Sequence, residues 1–212
     1  MMRGQTPLTG FCEVLWDLHN NTLLVASPTN TANDLVREVF INTFDLTPIR
    51  QTGFPPCEDG SNLNAEALAT AGAQFLTNLM ITLQEGSQQP SYPSLEIHLE
   101  GPLVFAHPEH DARKITIVGE DAASSPEAEA ALQSGKRLQS AVIVIQKHEE
   151  VWRMTLDATT MTLKAVSLPV PTLPDINEYI YLRHQSLTYL HAILDELLQD
   201  QLAQLKHQLV LP

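Results

Sequence analysis

The chain has 212 residues, 43% of them apolar, and a formal charge of −13. That length and composition allow a buried core and exclude a globally disordered chain. The charge excludes long-range attraction of phosphate or acidic lipid, so an anionic partner has to be met at a local concentration of cations.

In chain order, residues 12–18 and 22–26 flank His19-Asn20-Asn21 and predict a β-hairpin. A helix capped by Asn30 or Thr31 follows, with Leu35, Val36, Val39, Phe40 and Phe44 at helical spacing, and then an extended piece at 46–50. Residues 51–63, with Gly53, Pro55, Pro56 and Gly60, read as a loop and a subdomain boundary. Leu68, Phe75, Leu76, Leu79 and Leu83 predict a helix over 64–84 with Asn64 as its cap. Past a polar loop at 87–93, segments 95–99 and 103–106 read as a second hairpin that turns at Glu100-Gly101-Pro102. Weak alternation at 113–118 precedes a short helix from Ser124 or Ser125 to Gln133, stopped by Gly135.

Three strands are predicted next, at 137–147, 151–157 and 161–168. In the second of them Trp152, Met154 and Leu156 alternate with Arg153, Thr155 and Asp157, as a half-buried antiparallel strand requires. Pro169, Pro171 and Pro174 end the sheet and stiffen a linker. A helix over 175–208, capped by Asp175, carries a leucine stripe that slips by one residue between Leu197 and Leu198. Together these elements predict an α+β fold of antiparallel hairpins, packed helices and a long C-terminal helix. Three stretches are expected: 1–60, 61–170 and 171–212.

Most familiar site chemistry is missing from the pattern. Cys12 and Cys57 lie far apart with no CxxC, which suggests neither a disulfide scaffold nor a zinc knuckle. Ser134-Gly135-Lys136-Arg137 holds a Gly-Lys pair, but Ala130 and Arg137 stand where a phosphate loop needs glycine and Ser or Thr, so a helix stop before a strand is the expected reading. His98, His107 and His110 pose a metal hypothesis if the second hairpin brings His98 across to the other two, although a solvated loop fits that segment better. His184 and His191 share a helix face, read as surface or partner-facing, and the pairs Glu58-Asp59 and Glu149-Glu150 sit in predicted turns. No enzyme activity, small-molecule substrate, cofactor or metal is expected. With no signal-like opening and no apolar run of bilayer length, a reduced, cytoplasmic protein is the expectation.

Charge is the one strong local signal. Segment 1–112 carries −10 and segment 165–212 carries −3, whereas 113–164 is neutral because it holds seven of the twelve cations. Lys136 and Arg137 enter a strand directly behind a helix stop, and Arg113 and Lys114 open a neighbouring extended segment. Four cations are therefore expected at one end of the sheet, an arrangement that holds phosphates without reading bases.

Three segments, in order, resemble the recombination-associated RdgC proteins of bacteria. They are Val14-Leu-Trp-Asp-Leu18 with Leu23-Leu-Val25; Ala73-Gln-Phe-Leu-Thr77; and the series Ala131–Arg137, Val142–Ile145, Val151–Asp157 and Leu163–Pro169. The resemblance covers roughly residues 12–170. It implies a mixed α/β protein of the bacterial nucleoid that dimerises as a ring and binds double-stranded DNA with little sequence preference, limiting recombinase access. Under it, Lys136 and Arg137 match the family's Gly-Lys element and Lys164 its closing strand, so the expected DNA-contacting residues are Arg113, Lys114, Lys136, Arg137 and Lys164. Departures are Asn78 in place of a family Trp, an acidic Gly119-Glu120-Asp121 turn, and a further N-terminal portion that family members carry before the Trp-Asp hairpin. The rival expectation is an acidic interaction or oligomerisation module, built on the C-terminal helix, that has lost DNA binding.

Overall fold

The structure, a computed structural model, describes residues 11–27, 29–51, 54, 63–85, 94–108, 110–172 and 175–210, without the side chains of 110–113 and 203–210. Most of the expected loop at 51–63, and all of that at 87–93, lies outside the described residues. The chain divides into two compact units, Met1–Arg50 and Gln51–Pro212.

In the first unit, strands β1 (Val14–Asp17) and β2 (Thr22–Val25) pair antiparallel, with Trp16 opposite Leu23. The Asp17 carboxylate accepts the backbone N–H groups of His19 and Asn20, and Asn21 takes a left-handed φ of 51°, so side-chain hydrogen bonding and one tolerant residue close the turn. Helix α1 (Asn30–Phe44) is capped at Thr29, one residue before the expected cap, and makes no side-chain capping bond. Trp16 packs against Phe40 and Phe44 with ring centroids 4.9 and 5.0 Å away. Segment 46–50 is irregular and pairs with no strand among the described residues.

The second unit is built on a five-stranded antiparallel sheet, β3 (Glu96–His107), β4 (His110–Ile117), β5 (Arg137–Lys147), β6 (Glu150–Asp157) and β7 (Thr162–Ser167), in the order β4-β3-β5-β6-β7. One face is covered by helices α2 (Ala65–Gln84) and α4 (Ile176–Val210); a short helix α3 (Pro126–Gln133) leads from β4 into β5. This is the α+β architecture that the alternation and helical spacing predict, and the long C-terminal helix belongs to this unit through Leu190, Ile193, Leu197 and Leu198.

The core forms where Phe75, Leu76, Leu79 and Met80 of α2 meet Phe105, Leu138, Ile143, Ile145, Trp152 and Met154 of the sheet. Full burial of each such side chain stabilises the fold by roughly 1.5–3 kcal/mol. A bulge in β5 pairs Val104 with Ser140 but Phe105 with Leu138, so Leu138 and Ala141 both point into the core although three residues apart. On α4 the slip in the leucine stripe lets both Leu197 and Leu198 be buried. Trp152 Nε1 donates to Ser186 Oγ at 2.8 Å, satisfying the buried indole and pinning the helix to β6.

One expected element is corrected. Residues 95–106 do not form a hairpin; Glu96–His107 is one strand that passes through Glu100-Gly101-Pro102 with a shift in register against β5. Gly101 N–H donates to Gly119 O at 2.8 Å, so the Gly-Pro step meets the exit of β4 and bulges rather than reversing. The reversal lies further on, where His107 faces His110. Among the described residues, no helix is long and apolar enough to cross a membrane.

Candidate nucleic-acid interface

The Gly-Lys element is a helix terminus. Ser125 caps the start of α3 by accepting Ala128 N–H, and at the other end Gly135 N–H donates to Leu132 O and Lys136 N–H to Ala131 O, with Gly135 at a φ of 81°. That pair of bonds is a Schellman closure, in which glycine takes the left-handed position and the chain leaves at a fixed angle. The order is helix, glycine, strand, the reverse of a phosphate loop.

Helix α2 then fixes the start of β5. Thr77 Oγ1 accepts the N–H of Leu138 at 2.9 Å while donating to Ala73 O, and Gln74 Oε1 accepts from Arg137 Nε at 3.2 Å. Gln74 is itself held, donating to Asn78 Oδ1 at 2.7 Å. Lys136 Nζ donates to Ser134 Oγ at 2.8 Å. Among the described residues, Lys136 and Arg137 thus bond only neutral groups.

The register places the other two cations of the expected cluster at the same end of the sheet. Arg137 faces Ala106, and between the pairs Phe105–Ile115 and His107–His110 strand β4 takes five steps to two of β3. Arg113 and Lys114 lie in that bulged stretch, on the far side of β3 from Arg137. Lys114 is exposed; the side chain of Arg113 lies outside the described residues. The acidic Gly119-Glu120-Asp121 turn follows the far end of β4, beside Gly101. Six residues from Lys114 to Glu120 span roughly 20 Å of extended chain, about two screening lengths at 0.1 M salt.

Lys164 stands elsewhere. From β7 it faces Thr155 of β6, whose other neighbour Val142 is five residues along β5 from Arg137, or about 17 Å. Its ammonium donates to Asp157 Oδ2 at 2.7 Å. Arg153 on the same sheet face is bonded to Glu100, which also holds His98 Nε2 at 3.2 Å. Burial alone would raise the Asp157 pKa, but the bonds from Lys164 and Thr159 outweigh it and hold the carboxyl below its ordinary value. A depressed folded-state pKa contributes stability that is present above the unfolded value of about 3.9 and is lost as pH falls through the folded one. Carboxyl-detected NMR titration is therefore expected to find Asp157 below that value in the wild type and shifted upward in Lys164→Met.

His98 and His107 do not converge. Because β3 is a single strand, His98 and His107 are nine residues apart along it, roughly 30 Å. Among the described residues no three His, Cys, Asp or Glu side chains group as ligands. On α4, His184 is half-buried and His191 exposed.

Sequence reasoning missed Gln74, Thr77 and Asn78, the α2 residues that hold or brace the start of β5. The only local signal was the polar i, i+4 pair Gln74 and Asn78 beside the leucine stripe. The sequence matches no protein-family model and no curated protein.

Proposed function

We propose that the protein is a non-enzymatic DNA-binding protein of the bacterial nucleoid, acting in recombination, that holds duplex DNA through backbone phosphates met by Lys136, Arg137, Lys114 and Arg113. One observation carries the reading: two cations at this end of the sheet, Lys136 and Arg137, bond neutral groups, whereas Arg153 and Lys164 on the sheet face are matched to carboxylates. Charge left unneutralised at one edge of a chain of net −13 is where a polyanion is met. The ordered resemblance to RdgC proteins adds support, since its third segment runs through the α3–β5 junction, β6 and β7. Single-strand binding without sequence preference needs aromatic stacking platforms. Phe105, in the strand beside Arg137, is turned into the core, which favours a duplex held from outside.

The test is the salt dependence of duplex binding. Four phosphate contacts predict that the logarithm of affinity falls with the logarithm of salt concentration at a slope of about −3 to −4. A flat response, or no retention of duplex at low salt, rejects the reading. Lys164, matched to Asp157, is not counted among the contacts.

A second reading, an acidic self-association module, is favoured by one feature. Ile176, Ile180 and Tyr181 in the first turns of α4 are 63%, 52% and 58% exposed. Light scattering and duplex retention on the same samples separate the two, because a mass that rises with concentration while no duplex is retained supports only the second reading.

A further inference from the structure

Resting on the reading of this end of the sheet as a phosphate-contacting edge, we infer that Gln74 is a positioning residue that presets Arg137 for two-pronged capture of one backbone phosphodiester. A guanidinium has five N–H donors in a rigid fork, and its two terminal nitrogens match a pair of phosphate oxygens. In this chain the inner nitrogen, Nε, is occupied by Gln74 Oε1 at 3.2 Å. Neither terminal nitrogen has a partner among the described residues, and Arg137 is only half-buried. The fork is therefore held at its root and open at its tips.

The hold is braced from both sides. Gln74 cannot swing away without losing its 2.7 Å bond to Asn78. One helical turn on, Thr77 fixes the backbone of the residue after Arg137 through Leu138 N–H, so the side chain and its strand are clamped by the same face of α2. A free arginine on a strand end loses rotamer entropy when it takes a phosphate; one already held at Nε loses less. The neutrality of Gln74 matters as much as its reach. A carboxylate in its place would bond the same nitrogen and cancel the charge that the phosphate is to meet, as Glu100 does for Arg153 and Asp157 for Lys164.

The experiment compares the full-length wild type, Gln74→Ala, Gln74→Glu and Arg137→Ala on a labelled random-sequence duplex across a range of salt. Gln74→Ala keeps the phosphate contact but loses its preorganisation, so affinity falls by about five-fold, the worth of one net hydrogen bond, with the salt slope unchanged. Arg137→Ala lowers the slope by about 0.9, one contact, and Gln74→Glu lowers it by nearly as much. The Arg137 Nε–H proton, observed by NMR, is protected from exchange in the wild type and exposed in Gln74→Ala. If the wild type binds duplex and Gln74→Ala binds it equally well, the positioning role is overturned while the DNA reading stands. If the wild type does not bind duplex, both fall. A slope that drops in Gln74→Ala as far as in Arg137→Ala also overturns it, since Gln74 would then be maintaining the contact rather than orienting it.

Discussion

Exchange of Lys136 and Arg137 for glutamate is expected to weaken duplex binding by about 100-fold at about 50 mM salt and to reduce the salt slope by about 1.8. Each phosphate contact releases close to 0.9 of a counterion, and at that salt concentration one release is worth about a decade of affinity. Two lost contacts give the factor; the two introduced carboxylates add repulsion to it. The fold should tolerate the change. Lys136 is half-buried with a single bond among the described residues, to Ser134, while Arg137 forfeits one bond to Gln74, so the unfolding free energy should move by about 1 kcal/mol or less. Lys164→Met is the internal control. It breaks the bond to Asp157, and its duplex binding should match the wild type within error. Unchanged retention by the double variant, with a native unfolding transition, would remove Lys136 and Arg137 from the interface.

These two residues are legible in the sequence because their signal is local. A glycine behind a short capped helix predicts a chain exit, and two cations directly after it must sit at the strand's first positions. Strands β5, β6 and β7 are legible for a similar reason: a strand covered on one face writes the cover into its alternation, as Trp152, Met154 and Leu156 do against Arg153 and Asp157.

What the sequence hides is set by contacts between distant residues. Glu100-Gly101-Pro102 has the composition of a turn, and only the approach of Gly119, eighteen residues on, makes it a bulge in a continuous strand. Arg137 and Gln74 are 63 residues apart, so nothing near either one announces that α2 holds the guanidinium. The neutralisation of Lys164 is an intermediate case. Asp157 lies seven residues away across a tight turn, but a carboxylate at that spacing pairs with the lysine only once the β6–β7 register sets both on one face. Composition counts cations; register decides which of them remain available.

Gly72→Ala is the substitution expected to cost the most stability, about 3 kcal/mol or more. In an exposed helix the change would stabilise by about 1 kcal/mol through helix propensity. Here an alanine Cβ would stand 1.8 Å from the carbonyl oxygen of Ala158 and 2.8 Å from its carbonyl carbon. Withdrawal of about 1.2 Å is needed just to reach the shortest separation seen for real Cβ atoms. The turn cannot yield easily, because Ala158 is fully buried and its N–H is bonded to Gln139 O in the β5 bulge at 2.9 Å. Helix α2 must therefore lift from the sheet, opening contacts around Leu76 and Leu79, both wholly buried. Overpacking of this kind outweighs the propensity gain. The same movement pulls Thr77 from Leu138 N–H and Gln74 from Arg137, so any folded Gly72→Ala protein should also bind duplex more weakly than wild type. Urea denaturation measures the first effect. Ala71→Gly, at the neighbouring half-buried position, supplies the comparison, with an expected loss of about 1 kcal/mol from propensity alone. A Gly72→Ala protein as stable as the wild type would mean that α2 does not sit against the β6–β7 turn, and the helix would lose its role as the frame for Arg137.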